Sequence, residues 1–177
     1  MKSTSYIVVG IIAAVLVVMC IVKYNGLVTN DESVAKSWPS LVSVLQQRYA
    51  AVPKLINSII LYNGHEDSYT KELAAAYKKF QEAGDMQEKV KAADKLEAAL
   101  SSQFIQAGQR YAGISSNFQF TQLKKDFEST GPEVVKYAQA YNDTVDVYNT
   151  YVRKFPNNFF ALILNFYGER PYFKRQG

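Results

Sequence analysis

The chain has 177 residues, of which 48% are hydrophobic and 20% are charged, and its formal net charge is +4 at pH 7. This mild positive charge is not the dense basic patch of a nucleic-acid-binding protein, so we expect no nucleic-acid partner, although it suits a domain held close to anionic lipid headgroups. A single cysteine excludes an internal disulfide bond, so cysteine content does not identify an oxidising or a reducing compartment.

The first predicted element is an uncharged apolar run from Tyr6 to Val22. At ~1.5 Å per residue the run measures roughly 25 Å, which is close to the thickness of a bilayer core. Tyr6 and Lys23 suit the two interfacial layers. The small residues of a signal-peptidase site do not follow the run. The sequence therefore predicts that residues 1–23 are a single-pass transmembrane anchor, with the lipid bilayer as a partner.

Apolar residues recur every three or four positions in the rest of the chain, which is typical of amphipathic helices. The first such segment covers about residues 29–62, with Asn30 and Asp31 as expected N-terminal caps. Pro39 and Pro53 lie inside it, and each is expected to bend or break the helix. An Asn-Gly dipeptide then predicts its end.

Three further helices are predicted. The second covers about residues 66–82 and the third about 86–112, with a short break at Ala83-Gly84-Asp85 between them. The fourth covers about 117–155 and should kink or restart at Gly131-Pro132. Four amphipathic helices with short links predict an all-α fold, in which the N-terminal transmembrane helix is followed by an antiparallel up-and-down four-helix bundle.

A seven-residue repeat in the fourth helix consists of Tyr141, Val145, Tyr148 and Val152. Such spacing is typical of coiled-coil packing. One interpretation is an aromatic platform for a ligand. We favour the other, in which the rings pack in the bundle and their hydroxyls reach water or a neighbour.

Several short motifs follow one another in a fixed order. The first half contains Tyr24-Asn25-Gly26-Leu27-Val28, Glu32, Val34, Trp38, Gln47-Arg48-Tyr49, Pro53 and His65-Glu66. The second half contains Tyr141-Asn142, Val145, Tyr148-Asn149, Val152, Phe155-Pro156, Ala161 and Tyr172-Phe173. In this order the motifs resemble the LemA family over nearly the whole chain. The family pattern is changed at Ala50, Lys54, Tyr111-Ala112-Gly113-Ile114, Thr130-Gly131-Pro132 and Ala138, where an acid and a base that could have been partners are missing.

The resemblance implies a four-helix bundle at a bacterial cell membrane and does not imply an enzyme. Residues 24–177 would then be a LemA-like bundle whose motif residues have structural or partner-binding roles. We expect an interaction or scaffolding module with a protein partner. Because family members are sometimes thought to work beside membrane proteases or envelope stress systems, an accessory factor of such a system is an alternative.

Residues for catalysis or metal binding are sparse. His65 is the only histidine, and its neighbour Glu66 cannot share a helical face with it. We expect His65 in the turn before the second helix, with Glu66 and Asp67 near the positive end of the helix dipole. We therefore expect no catalytic site, metal or cofactor. The alternative is an enzyme with an unrecognised site.

A mixed-charge stretch in the third helix is expected to be a solvated face. It consists of Glu88, Lys89, Lys91, Asp94, Lys95 and Glu97.

The C-terminal tail, about residues 156–177, is rich in large apolar side chains. It could fold back to cap the bundle. Alternatively, since a fourth antiparallel helix returns toward the membrane, the tail could lie in the interface with Arg170, Lys174 and Arg175 at the headgroups. Flanking lysines slightly favour a cytoplasmic bundle, and the alternative is a bundle outside the cell.

Overall fold

A computed structural model of the chain describes residues 2–111, 113–166 and 168–174, and within them all side chains except those of residues 2–5 and Gln103. Ala112, Tyr167 and Arg175, which were assigned to the third helix and the tail, lie outside the described residues. The described residues are almost entirely helical and include no strand. This confirms the predicted all-α fold.

Seven α-helices follow one another along the described chain. They are α1 (Lys2–Tyr49), α2 (Ala51–Asn63), α3 (Ser68–Glu82), α4 (Met86–Arg110), α5 (Phe118–Ser129), α6 (Gly131–Arg153) and α7 (Asn157–Ile163), with a one-turn 3-10 helix at Ile114–Ser116 before α5. The described chain divides into two compact units. The first contains residues 2–36 and 143–170, and the second contains residues 37–142 and 171–174.

The apolar run and the first part of the amphipathic segment, as far as Tyr49, form one helix, α1, of 48 residues. The expected caps Asn30 and Asp31 were wrong, because both lie in the helix interior and the Asn30 side chain donates to the Gly26 carbonyl. Of the two outcomes expected at Pro39, a bend or a break, the break was wrong, because α1 continues through this residue. Pro39 is exposed, so the carbonyl that loses its donor is on the solvent side of a helix whose other face is packed. The helix ends instead before Ala50, and Pro53 lies in the first turn of α2.

The remaining helix ends follow the predicted signals closely. Gly64 ends α2 in the left-handed conformation, with φ of 80°. Asp67 caps α3 and Asp85 caps α4 through side-chain hydrogen bonds. Pro132 lies in the first turn of α6, so the fourth predicted helix restarts there rather than continuing.

The second unit is a helical bundle with a continuous core. Helix α3 packs against α4, and α2 packs against α3 and α5, so the segment between α3 and α4 is a true reversal. Tyr49 is central: its ring meets Phe80 edge-on with centroids 4.9 Å apart, and its hydroxyl donates to the Ala93 carbonyl at 3.1 Å. The predicted apolar stripes of all these helices supply the buried residues, as expected for period-3.6 patterning.

The first unit joins part of α1 to the end of α6 and the tail. Leu27 and Val34 of α1 are buried, as are Val145 and Tyr148 of α6. At Gly26 the space that a Cβ atom would need is filled by the Tyr151 phenol, so a glycine permits this close approach. The apolar run before this region is long and apolar enough to cross a membrane: its most apolar window has a mean hydropathy of 2.7 and is entirely unburied.

Candidate functional site

Arg48, a motif position on α1, makes a buried ion pair with Glu97 of α4. The Arg48 Nη2 lies 2.7 Å from Glu97 Oε1, and the two side chains are 2% and 0% exposed. Arg48 Nη1 donates to the Phe127 carbonyl and to Thr130 Oγ1. Its guanidinium also stacks 3.5 Å from the centroid of the Phe127 ring. Arg48 thus connects α1, α4 and the end of α5.

The surroundings of this pair are closed to water. Burial, and then the Glu97 carboxylate, raise the pKa of Tyr49 far above its usual value, so Tyr49 is a neutral donor. Both ions are held by protein groups, which favours a role in packing and helix register.

Glu97 had been assigned to a solvated face, and this was wrong. Lys91 and Lys95 are exposed as expected. Glu97, however, lies four residues after Ala93 and three before Leu100, which are both core positions. An acidic residue in an apolar stripe was the signal that could have revealed it.

In the first unit, a Tyr-Asn motif of α6 binds the backbone of the tail. The Asn149 side chain is fully buried; its Nδ2 donates to the Arg170 carbonyl at 3.0 Å, and its Oδ1 accepts from the Arg170 amide at 2.8 Å. Tyr148 donates its hydroxyl to the Phe166 carbonyl. Burial raises the pKa of Tyr148, although the Arg170 guanidinium opposes this. The motif therefore fixes the tail to its own helix.

In the second unit, the other Tyr-Asn motif of α6 also binds the backbone of the tail. Asn142 Nδ2 donates to the Phe173 carbonyl and Oδ1 accepts from the Phe173 amide, both at 2.9 Å. Tyr141 donates to the Pro171 carbonyl at 2.8 Å, and Trp38 packs 5.3 Å from its ring. Both motif tyrosines are buried, so the packing interpretation holds and they form no open aromatic platform.

The tail is also held by Asp94 of α4, whose Oδ1 accepts from the Lys174 amide at 2.7 Å. Burial raises the pKa of Asp94 to about 6, against the opposing hydrogen bond from Lys174. This contact was not predictable from the sequence, because Asp94 lies among several charged residues whose pattern indicates a solvated face. The tail at residues 171–174 thus folds back on the second unit.

Asp67 lies at the N-terminus of α3 and caps it, as expected, but its contact with Tyr111 was not predicted from the sequence. Its carboxylate accepts from the amides of Tyr69 and Thr70 and from the Tyr111 hydroxyl. Burial acts to raise the pKa of Asp67, but the hydrogen bonds from Tyr111 and Thr70 outweigh it and lower that pKa. Burial and the Asp67 contact raise the pKa of Tyr111 to about 12. The arrangement keeps an anion at a helix N-terminus.

The other motif positions do not converge on one site. Tyr24 contacts Phe166, Pro156 precedes α7, and Asn25, Pro53 and Phe155 are exposed. His65 and Glu66 are exposed in the link between α2 and α3, and the only contact described for the imidazole is with the Asn63 amide at 3.4 Å. Within the described residues, no group of three or more histidine, cysteine, aspartate or glutamate side chains could hold a metal ion.

The second unit has an open groove between α2 and α5, which we call the α2–α5 groove. Its volume is about 340 Å³. At this groove Leu61 and Phe118 are 80% and 81% exposed, which is unusual for such large apolar side chains. The groove is lined by Lys54, Asn57, Ser58, Leu61, Phe118, Gln119, Gln122, Leu123 and Asp126. Its chemistry is that of a surface for apolar anchors, bordered by amides and one charge of each sign.

Comparison with known proteins identifies the family. A family model described as LemA family matches residues 37–177, and a search of curated proteins gives no significant match. The matched region covers most of the chain, including the buried Arg48 and both Tyr-Asn motifs that bind the tail. With this match, and a helical bundle of the expected kind, the chain belongs to the LemA family.

Proposed function

We propose that this protein is a membrane-anchored interaction module of a bacterial cell membrane, which binds a protein partner through the α2–α5 groove and does no catalysis. The exposure of Leu61 and Phe118 side by side in one groove is the observation that carries the proposal. Two large apolar side chains in water are unfavourable unless something covers them.

The lining of the groove suits an amphipathic helix of a partner. Helices bind apolar grooves by a few anchors spaced along one face, and Leu61 and Phe118 offer contacts to such anchors. Lys54 and Asp126 at the groove can orient the partner by charge.

The apolar run of α1 supports the membrane location, because it is unburied and long enough to span a bilayer. The partner is therefore a protein within the membrane or at its surface. The lysines flanking the run favour a cytoplasmic bundle. Protease added to intact spheroplasts should then leave the bundle undigested, and digestion would place it outside.

Site-specific photo-crosslinking in cells tests the groove. A photoreactive phenylalanine at Phe118 should give a discrete crosslinked product, whereas one at Val135, an exposed apolar position of α6, should not. Leu61→Asp should abolish the product, and the exposed substitution His65→Ala should leave it unchanged. The same products from both positions, or a product that survives Leu61→Asp, would contradict the proposal. A product of two copies of this chain would show self-association instead.

A further inference from the structure

An exposed apolar face lies on α7 in the first unit. We call it the α7 face; it consists of Phe155, which lies just before the helix, and of three residues on α7, Phe159, Leu162 and Ile163, and the four are 87%, 58%, 66% and 62% exposed. The last three are spaced i, i+3 and i+4 along the helix and so share one side of it. The other side is packed into the unit, where Phe160 and Ala161 are buried.

The tail fixes this face close to the end of the apolar run. Phe166 packs edge-on against Tyr24 with ring centroids 6.0 Å apart, and the Phe166 amide donates to the Ala161 carbonyl of α7 at 2.8 Å. Tyr24 is two residues after Val22, the last residue of the run. At ~1.5 Å per residue that is about 3 Å along the helix axis.

A second set of contacts shows which part of α6 lies beside α1 farther from the apolar run. The Arg170 guanidinium donates to Asp31 Oδ1 at 2.6 Å, and the backbone of Arg170 is bound by Asn149. This part of α6 is therefore level with Asp31, nine residues beyond Val22. From these contacts we infer that Val147, two residues before Asn149 on α6, lies farther from the apolar run than α7 does.

The charges around α7 suit a lipid surface. Lys23 directly follows the run, and Arg153 and Lys154 immediately precede the exposed Phe155. Glu169 partly balances this charge, since its Oε1 lies 3.6 Å from the Arg153 Nε. A basic border next to exposed aromatic and aliphatic side chains is the pattern of segments that lie in the membrane interface.

We propose that the α7 face lies in the interfacial layer of the lipid bilayer, as a second membrane contact beside the transmembrane helix. Lipid is the occupant because the face adjoins the apolar run within one compact unit, so a run in the bilayer brings the face to the headgroup layer. Such a helix buries its apolar side about 5–10 Å into the boundary of headgroups and acyl chains. This inference rests on the membrane location proposed above and is independent of the α2–α5 groove.

Depth-dependent fluorescence quenching tests the contact. The full chain carrying Cys20→Ala is labelled at Leu162→Cys, Val147→Cys or Ile12→Cys and reconstituted in vesicles of phosphatidylcholine and phosphatidylglycerol. Val147 is the matched control, since it is an exposed apolar residue of the same unit. Lipids spin-labelled at the headgroup or shallow acyl chain should quench the label at 162 several-fold more than that at 147. Deep acyl-chain quenchers should act on the label at position 12.

A second variant checks that the apolar face causes the contact. Phe159→Glu with Ile163→Glu should reduce the quenching at position 162 to the level at 147, while Val135→Glu should have no effect. Equal quenching of the labels at 162 and 147, with the label at position 12 quenched, would overturn the lipid contact of the α7 face but not the membrane location. No quenching at position 12 would overturn the membrane location as well. Energy transfer between labels at 162 without lipid quenching would show that a second copy covers the face, and would also overturn it.

Discussion

Among single residues, Arg48 and Glu97 have the largest consequences for stability. They are buried as a pair, so removing one leaves the other as an uncompensated charge. We expect Arg48→Ala and Glu97→Ala each to lower the free energy of unfolding by about 3–5 kcal/mol. Replacing both, as Arg48→Met with Glu97→Leu, should cost less than either single change, because no buried charge remains.

Urea unfolding of the detergent-solubilised full chain, followed by circular dichroism, measures this effect. The exposed pair Lys78–Glu82, with Nζ and Oε1 3.6 Å apart, is the control, and Glu82→Ala should change stability by no more than about 0.5 kcal/mol. A Glu97→Ala protein as stable as the Glu82→Ala protein would contradict the assignment.

The raised pKa of Asp94 predicts a pH dependence. Burial raises this pKa from 3.8 to about 6 in the folded chain, so between these values the folded state binds the proton more tightly than the unfolded state. The stabilising contribution is complete below about pH 4 and is lost as the pH rises through 6. Asp94→Asn keeps the acceptor for the Lys174 amide but cannot titrate. Relative to the natural chain, its urea midpoint should therefore rise between pH 4 and pH 7; an unchanged or falling difference would refute the shift.

Among the elements, the tail depends most on side chains of α6, and Asn149 tests that dependence. Asn149→Ala removes both hydrogen bonds to Arg170 and leaves buried backbone groups unpaired, at about 1–3 kcal/mol. Asn149 accepts from the amide of the Glu169–Arg170 bond, so we expect a glutamate-specific protease to cleave after Glu169 faster in this variant than in the natural chain. Asn158→Ala, at an exposed position of α7, is the control and should not change the rate. Equal cleavage of the two variants would mean that other contacts hold the tail.

For the whole molecule, most of the helices could be predicted from the sequence. The long-range contacts that hold the helices and the tail together could not. Apolar stripes of period 3.6 identified the core, since burial of one helix face follows directly from that period. The partnership of Arg48 with Glu97 was not visible, because the two are 49 residues apart and charge alone predicts exposure. The path of residues 166–174 was equally hidden: an irregular segment has no period, and two asparagine side chains hold much of it.

The sequence also did not predict that α1 is one continuous helix. This continuity affects which residues belong to each compact unit. Local signals favoured a new helix that begins at Asn30 or Asp31 and a bend or a break at Pro39, but tertiary packing along the helix overrides such propensities. As a result, residues 24–36 belong to the packed first unit, although the family match begins only at residue 37.

Two truncations separate the roles of the parts of α1. A chain of residues 24–177 loses the apolar run, which is unburied, and should leave the membrane fraction as a helical monomer. A chain of residues 37–177 also loses Leu27 and Val34, which are buried in the first unit, and so exposes the side of α6 that carries Val145. Losing two large core side chains costs several kcal/mol, so the shorter chain should be less helical and less stable toward urea. Circular dichroism with light scattering measures both properties. Strand content in the longer chain would refute the fold, and equal stability of the two would show that residues 24–36 do not stabilise the first unit.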